Sequence, residues 1–199
     1  MKPLFLGSHP AADFLNTLAT PPAGQVEFIA DGRSFAAWLE DAALLEGSSA
    51  AKLERRFGVD ALDAAAADAR KLREWARGWI SRWREAPRRD YAAELQRLNR
   101  TLERARRYRQ VVAAAGGLQL RELDRIESAD DLIAIVAAQI AALVANEDPG
   151  LVKRCAGAGC SLWFVDRTKA HGRLFCSAAA CGNRAKVAAF RERQRKTTR

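Results

Sequence analysis

Cys155-Ala-Gly-Ala-Gly-Cys160 and, fifteen residues further on, Cys176-Ser-Ala-Ala-Ala-Cys181-Gly182-Asn183-Arg184 decide the reading of this 199-residue chain. These are its only four cysteines, and all fall within the last 45 residues. Two short chelating loops joined by a spacer can converge four thiolates on a tetrahedron, the arrangement a soft divalent ion such as zinc requires. Small residues between Cys155 and Cys160 let the backbone curl so that both sulfurs face one ion. Leu162-Trp163-Phe164-Val165 reads as a strand and Arg173-Leu174-Phe175 as a second short apolar run, with the polar stretch 166–172 as the hairpin turn between them. Cys176 leads into a helix whose first turn carries Cys181, where the helix dipole favours a thiolate. Knuckle, hairpin and helix form a treble-clef-like finger. Four thiolates close the coordination shell, so the expected cofactor is one structural Zn2+ ion and not a catalytic centre. An iron centre or a metal-releasing thiol switch are the alternatives.

Outward from the cysteines, the charge is segregated. Residues 151–199 hold 12 Lys and Arg against 2 Asp and Glu, a net of +10. Residues 1–150 hold 21 against 22, a net of −1. A basic block on an ordered metal module is an electrostatic footprint for a polyanion. The helical candidates for phosphate contact are Arg184, Lys186, Arg191, Arg193, Arg195 and Lys196, and Arg167, Lys169 and Arg173 on the expected hairpin extend that face. Positions 184, 191 and 195 share one side of a helix. Arg184 has a second reading, an ion pair with Asp166 inside the module. Gly182 is expected to permit close backbone approach, and the Asn183 amide to tie the knuckle to the hairpin.

Upstream, alanine abundance and apolar residues at three- and four-residue spacing predict helices. A long helix is expected from about residue 60 to 84, with Leu72, Trp75, Trp79 and Trp83 on one buried face. Ser34 is expected to cap a helix running through Trp38 and Leu45, and Asp90 to cap another carrying Leu95, Leu98 and Leu102. Residues 26–29 read as a short strand, and 108–112 with 118–123 as a β-hairpin around Gly116-Gly117. Ser128 opens a helix with Asp131 in an approximate capping box and Ile133, Val136, Ile140 and Val144 along its buried side. Residues 20–24 and 47–49 read as breaks, and residues 146–150 as a domain boundary. The fold class is therefore mainly α with small β-hairpins (α+β), a helical N-terminal domain followed by the treble-clef-like four-cysteine finger.

The longest apolar stretch, residues 132–145, contains Gln139 and is shorter than the roughly 20 residues a bilayer span requires. No secretory signal is expected at the start, so the chain reads as cytoplasmic, where a four-cysteine cluster favours metal over disulfides. Neither His9 nor His171 sits in a catalytic constellation, and no phosphate-binding loop or nucleophile elbow appears, which argues against an enzyme. Asp13, Asn16 and Thr17 are candidates for lining an N-terminal pocket, the competing reading being that Asn16 and Thr17 hydrogen-bond within the fold.

Cys181-Gly182-Asn183-Arg184, with Phe164-Val165-Asp166-Arg167 before it and a basic helix after it, resembles the signature of the CGNR zinc-finger proteins. Asp13-Phe14-Leu15-Asn16-Thr17 resembles the motif opening that family's N-terminal ABATE domain. The resemblance implies an ABATE-like helical domain over residues 1–148 and a CGNR zinc-finger domain over 149–199. It also implies a bacterial transcription regulator whose finger engages nucleic acid, preferentially double-stranded DNA, and assigns the metal ligands to Cys155, Cys160, Cys176 and Cys181. Members carry a more basic, Trp-containing run before the third cysteine; here it is Gly172-Arg173-Leu174-Phe175, with Phe175 in the aromatic position. A small-molecule effector and a homodimer are the further partners such a regulator would take. RNA, or an acidic protein partner, are the alternatives to DNA.

Overall fold

The computed structural model describes residues 3–20, 24–45 and 48–197. Residues 21–23 of the break expected at 20–24, and residue 47 of the one expected at 47–49, lie outside them. Seven α-helices and three two-stranded antiparallel sheets are formed among the described residues.

Helix α4, Val59–Glu85, is the spine of the molecule. Its 27 residues span about 40 Å at 1.5 Å per residue. Leu72, Trp79 and Trp83 are buried along one face together with Leu62, Ala65, Ala69, Ala76 and Ile80, and Trp75 is partly buried against them. The tryptophan stripe is thus core, as its spacing predicts. The small alanines in the first half let neighbouring helices approach closely. Helix α2, Gly32–Asp41, packs there, buried through Phe35, Trp38 and Leu39. Its cap is Asp31 and not Ser34. Asp31 accepts the Ser34 amide at 2.8 Å, and Ser34 Oγ in turn accepts the Asp31 amide at 2.9 Å. Leu45 is buried but lies beyond the helix end, which comes at Asp41.

Helix α6, Asp131–Asn146, crosses behind α4. Leu132 to Ala137, Ile140 and Leu143 are all buried, so the helix is covered on more than the single face its spacing predicts. A helix apolar nearly all round belongs at the centre of a core. Asp131 takes the Glu127 and Ser128 amides at 2.7 and 2.9 Å, the reciprocal half of the expected capping box. Helix α5, Ala92–Leu102, begins where the Asp90 carboxylate accepts the Ala92 amide at 2.9 Å, and buries Leu98 while Leu95 stays exposed. The eight-residue helix α3, Ala50–Phe57, capped by Ser49, fills a stretch in which sequence periodicity predicts nothing. Strands β3 and β4, Arg107–Ala114 and Gly117–Asp124, form the expected hairpin.

The N-terminal strip is what positions the finger. Helix α1, Pro10–Leu15, is buried over most of its length. Strands β1, Leu18–Ala19, and β2, Val26–Glu27, follow it. In the finger, β5, Val152–Arg154, pairs with β6, Trp163–Val165. Strand β6 is buried on both sides: Trp163 and Val165 join the main core with Val152, and Phe164 points into a second small core with Ala19, Phe28 and Leu162. Packing therefore continues across the expected boundary at 148. A 3-10 turn, Pro149–Leu151, and the bond from the Asp166 amide to Leu151 O carry the chain across it. None of the described helices is long and apolar enough to cross a membrane.

Candidate metal centre and basic helix

The hairpin that carries the first cysteine pair is not the one expected. Strand β6 pairs with β5, so the knuckle Cys155–Cys160 is the connection within that hairpin. Residues 173–175 form no strand; a single bond from the Ala156 amide to Leu174 O, 2.9 Å, brings them alongside. The physical reason is Asp166. It is fully buried and accepts from Lys153 Nζ at 2.7 Å, the Thr168 amide and hydroxyl at 3.0 and 2.6 Å, and the Arg173 amide at 2.8 Å. Burial alone would raise its pKa; these donors outweigh it and hold the carboxyl well below the usual carboxylate range. Residues 166–173 thus wrap around a carboxylate, which prevents a regular ladder.

The four sulfurs lie within 4.8 Å of one another. Cys160 Sγ is 3.9 Å from Cys176 Sγ, which is 3.5 Å from Cys181 Sγ. A tetrahedral Zn–S bond of about 2.3 Å sets sulfurs about 3.8 Å apart. The donor set and its spacing fit zinc, and the four cysteines constitute one structural zinc site. Local sequence builds it. A Cβ on Gly157 would lie 3.1 Å from Cys181 Sγ and 3.4 Å from Cys155 Sγ, so a larger residue would intrude among the ligands. Gly159 takes φ +71°, the left-handed conformation that turns the knuckle. Ser177 caps a π turn, Ala178–Gly182, that delivers Cys181 to helix α7, Asn183–Thr197.

Four thiolates around Zn2+ leave about two excess negative charges. Amides of Gly157 and Cys176 point at Cys155 Sγ, at 3.4 and 3.3 Å, and oppose the effect of burial enough to lower that thiol's pKa. Burial pushes the Cys160 thiol up to about 11 and the Cys176 thiol higher still; a bound cation reverses this by deprotonating them. Arg184 donates to Cys181 Sγ at 2.8 Å. Its partner inside the module is therefore not Asp166 but a zinc ligand, and its cation offsets the site's negative charge.

The expected basic face is divided by the structure. Arg167 forks onto Glu147 in an ion pair. Arg173 turns inward: it stacks over Phe164 with its guanidinium carbon 4.2 Å from the ring centroid and donates to Leu6 O, Phe175 O and Cys176 O and to Ser8 Oγ. It staples the finger to the N-terminal strip, so its guanidinium is engaged inside the fold. Lys169 is exposed, as are Lys186, Arg191, Arg193, Arg195 and Lys196 on α7. The Lys196–Glu192 pair is largely exposed. Val187 and Phe190 are also about half exposed on this helix. Gly182 has no crowding that requires glycine, since an added Cβ would meet nothing closer than 3.6 Å. Asn183 is exposed, and its side chain makes no hydrogen bond among the described residues.

Asp13, Asn16 and Thr17 are buried and do not line an open pocket. Asn16 bonds Trp163 in both directions, Nδ2 to Trp163 O at 2.8 Å and Trp163 N to Oδ1 at 2.7 Å. The side chain acts as a short strand beside β6. Thr17 donates to Phe14 O at 2.8 Å and accepts from Arg73 at 2.9 Å. Asp13 accepts the Gly7 amide at 2.7 Å, and burial raises its pKa to about 6. Sequence reasoning missed Arg73, 2% exposed, which forks onto Glu27 at 2.7 and 2.6 Å. The one signal available was an arginine on the edge of a tryptophan stripe.

A comparison with curated proteins gives no match. Residues 152–194 match the family model of the CGNR zinc finger, and residues 8–147 match ABATE, described as "Putative stress-induced transcription regulator". The chain belongs to the ABATE family, with a C-terminal CGNR zinc finger.

Proposed function

We propose that the protein is a transcription regulator that binds double-stranded DNA through α7, with the helical N-terminal body serving ligand sensing or assembly. The observation that carries this reading is the exposure of α7. The zinc site fixes its first turn, and from Lys186 to Lys196 every residue is exposed while the flanking Arg167 and Arg173 are engaged elsewhere. Arg191 and Arg195 share one side of the helix with Arg184, which is held by Cys181, and Lys186 and Arg193 lie on the other. A helix with cations on opposite sides can touch phosphates on both walls of a groove. Such contacts supply affinity; they carry no sequence preference by themselves. The role is binding, not catalysis, and the zinc is structural support for the helix.

The test is selection from a randomised duplex pool with zinc-loaded protein at near-physiological salt, with RNA as competitor. Enrichment of a discrete duplex site, lost on Arg191→Ala with Arg195→Ala while zinc is retained, is the expected result. Equal loss to RNA, or no enrichment, would sink the DNA reading.

A further inference from the structure

Trp163 is 3% exposed and has two guanidinium groups against its ring. Arg84, in the last turn of α4, places its guanidinium carbon 5.6 Å from the Trp163 ring centroid. Arg154, directly across the β5–β6 ladder, places its own 5.5 Å from the same centroid. One cation comes from the helical body and the other from the finger. Attraction to a single indole draws both in. Neither has an ion pair among the described residues, and Arg84 Nε is buried with no hydrogen-bond partner. Burial lowers the Arg84 pKa, Glu85 partly offsets it, and the charge of Arg154 lowers it further.

Arg73 is matched by Glu27 and Glu74, Arg77 by the carbonyls of Leu15 and Leu18, and Arg173 by those of Leu6 and Phe175. Among these, Arg84 alone has a buried donor, Nε, without an acceptor among the described residues. A buried donor left unpaired is unfavourable, and a second cation beside it makes the local field more so. An oxyanion beside the two cations would offset the charge penalty. Guanidinium forks suit phosphate oxygens in geometry as well as charge. Stacking on Trp163 restricts both side chains before any ligand arrives, which reduces the ordering cost of binding.

We propose that Arg84 and Arg154 form a phosphate site at the seam between the helical body and the finger, taking either a backbone phosphate of nucleic acid or the phosphate of a free small molecule. The site is distinct from α7 and does not depend on the DNA reading. A phosphate held there bridges α4 to β5, so binding tightens the seam that orients the finger.

The test uses full-length, zinc-loaded protein. The Trp163 indole N–H is followed by NMR during titration with inorganic phosphate and pyrophosphate, with ionic strength held by chloride. Duplex DNA affinity is measured in parallel as a function of salt. Arg84→Gln and Arg154→Gln are compared with Arg109→Gln, which removes the same charge from the exposed strand β3. A saturable shift, abolished by the first two changes and kept by the third, assigns a free phosphate ligand. A loss of duplex affinity in the same two variants, with the salt slope falling by about 1, assigns a backbone phosphate. Absence of a saturable shift together with unchanged DNA binding, or with no DNA binding by the parent protein, overturns the site. Zinc content and thermal midpoint identify any misfolded variant. If Arg84→Gln unfolds, the exposed Arg154→Gln carries the test alone.

Discussion

Replacing Asn16 with Ala tests how the finger is held. Among the described residues the Asn16 amide is the sole side chain bonding both the N–H and the C=O of Trp163, at 2.7 and 2.8 Å, in a site only 1% exposed. Alanine leaves both groups buried without a partner. Each orphaned group costs about 1–3 kcal/mol, so the pair predicts a loss of about 4 kcal/mol. For a chain of this size that corresponds to roughly 10 °C in thermal midpoint. Zinc content should stay at one per chain, because no ligand is touched. The Trp163 amide should also exchange with solvent faster than its neighbour Val165, whose N–H keeps its bond to Gly7 O at 2.7 Å. Asn16→Asp should be at least as damaging: it retains the acceptor for Trp163 N–H but sets a carboxylate oxygen against Trp163 O. Chemical denaturation with zinc quantified in the folded fraction is the assay. A change in stability under about 0.5 kcal/mol for Asn16→Ala, with unaltered Trp163 exchange, would refute the claim that this side chain welds finger to body.

Cys176→Ser should reduce bound zinc to well under one per chain by elemental analysis. Because Val152, Trp163 and Val165 lie in the main core, it should also lower the midpoint of the helical body, and a variant that keeps one zinc refutes the four-ligand assignment. Asp13→Asn should flatten the pH dependence of stability. With its pKa raised from 3.8 to about 6, the buried acid favours the fold when protonated, and that contribution, about 3 kcal/mol, is lost as pH rises from about 4 to 6. Parallel stability curves for parent and variant across that window would contradict this. Arg73→Met should cost about 3 kcal/mol by stranding Glu27, whose side chain is 27% exposed, and Glu27→Gln should recover part of the loss in the double variant. Full additivity of the two changes would argue against a coupled pair.

What the sequence made legible follows from interaction range. The zinc site could be read because its ligands come in two local pairs whose spacing is itself the chelating geometry. Helix α4 could be read because its tryptophan stripe repeats at helical intervals, and the β3–β4 hairpin because two apolar runs flank a glycine turn. Helix α3 was invisible because it buries only Leu53 and so has no repeating face. The finger hairpin was misassigned because both 152–154 and 173–175 are adequate partners for β6, and a buried carboxylate, Asp166, decides between them. The basic side chains were least legible. Arg167, Arg173 and Arg184 look alike in a one-dimensional charge count, yet one pairs with Glu147, one caps carbonyls near the N-terminus and one approaches a sulfur. The first two partners are fixed by tertiary packing, which no local pattern encodes, whereas Cys181 lies only three residues before Arg184.

The same partners constrain how a signal could travel. Strand β6 is covered on one side by the main core, through Trp163 and Val165, and on the other by the small core around Phe164. Its backbone is bonded to Asn16 and Gly7 from the N-terminal strip. Helix α7, by contrast, touches the rest of the protein chiefly through the turn that carries Cys181, with Arg184 bridging helix and sulfur. A displacement of the body therefore reaches α7 by moving β6 and the zinc ligands as one piece, not by bending the helix. A well-packed seam of this kind is not continuously deformable, so it transmits a rigid shift. Under this reading an effector that binds the body should change affinity for nucleic acid only in proteins with an intact seam. Asn16→Ala should uncouple effector from nucleic acid even where both still bind, and a coupling of unchanged size in that variant would mean that the signal bypasses β6.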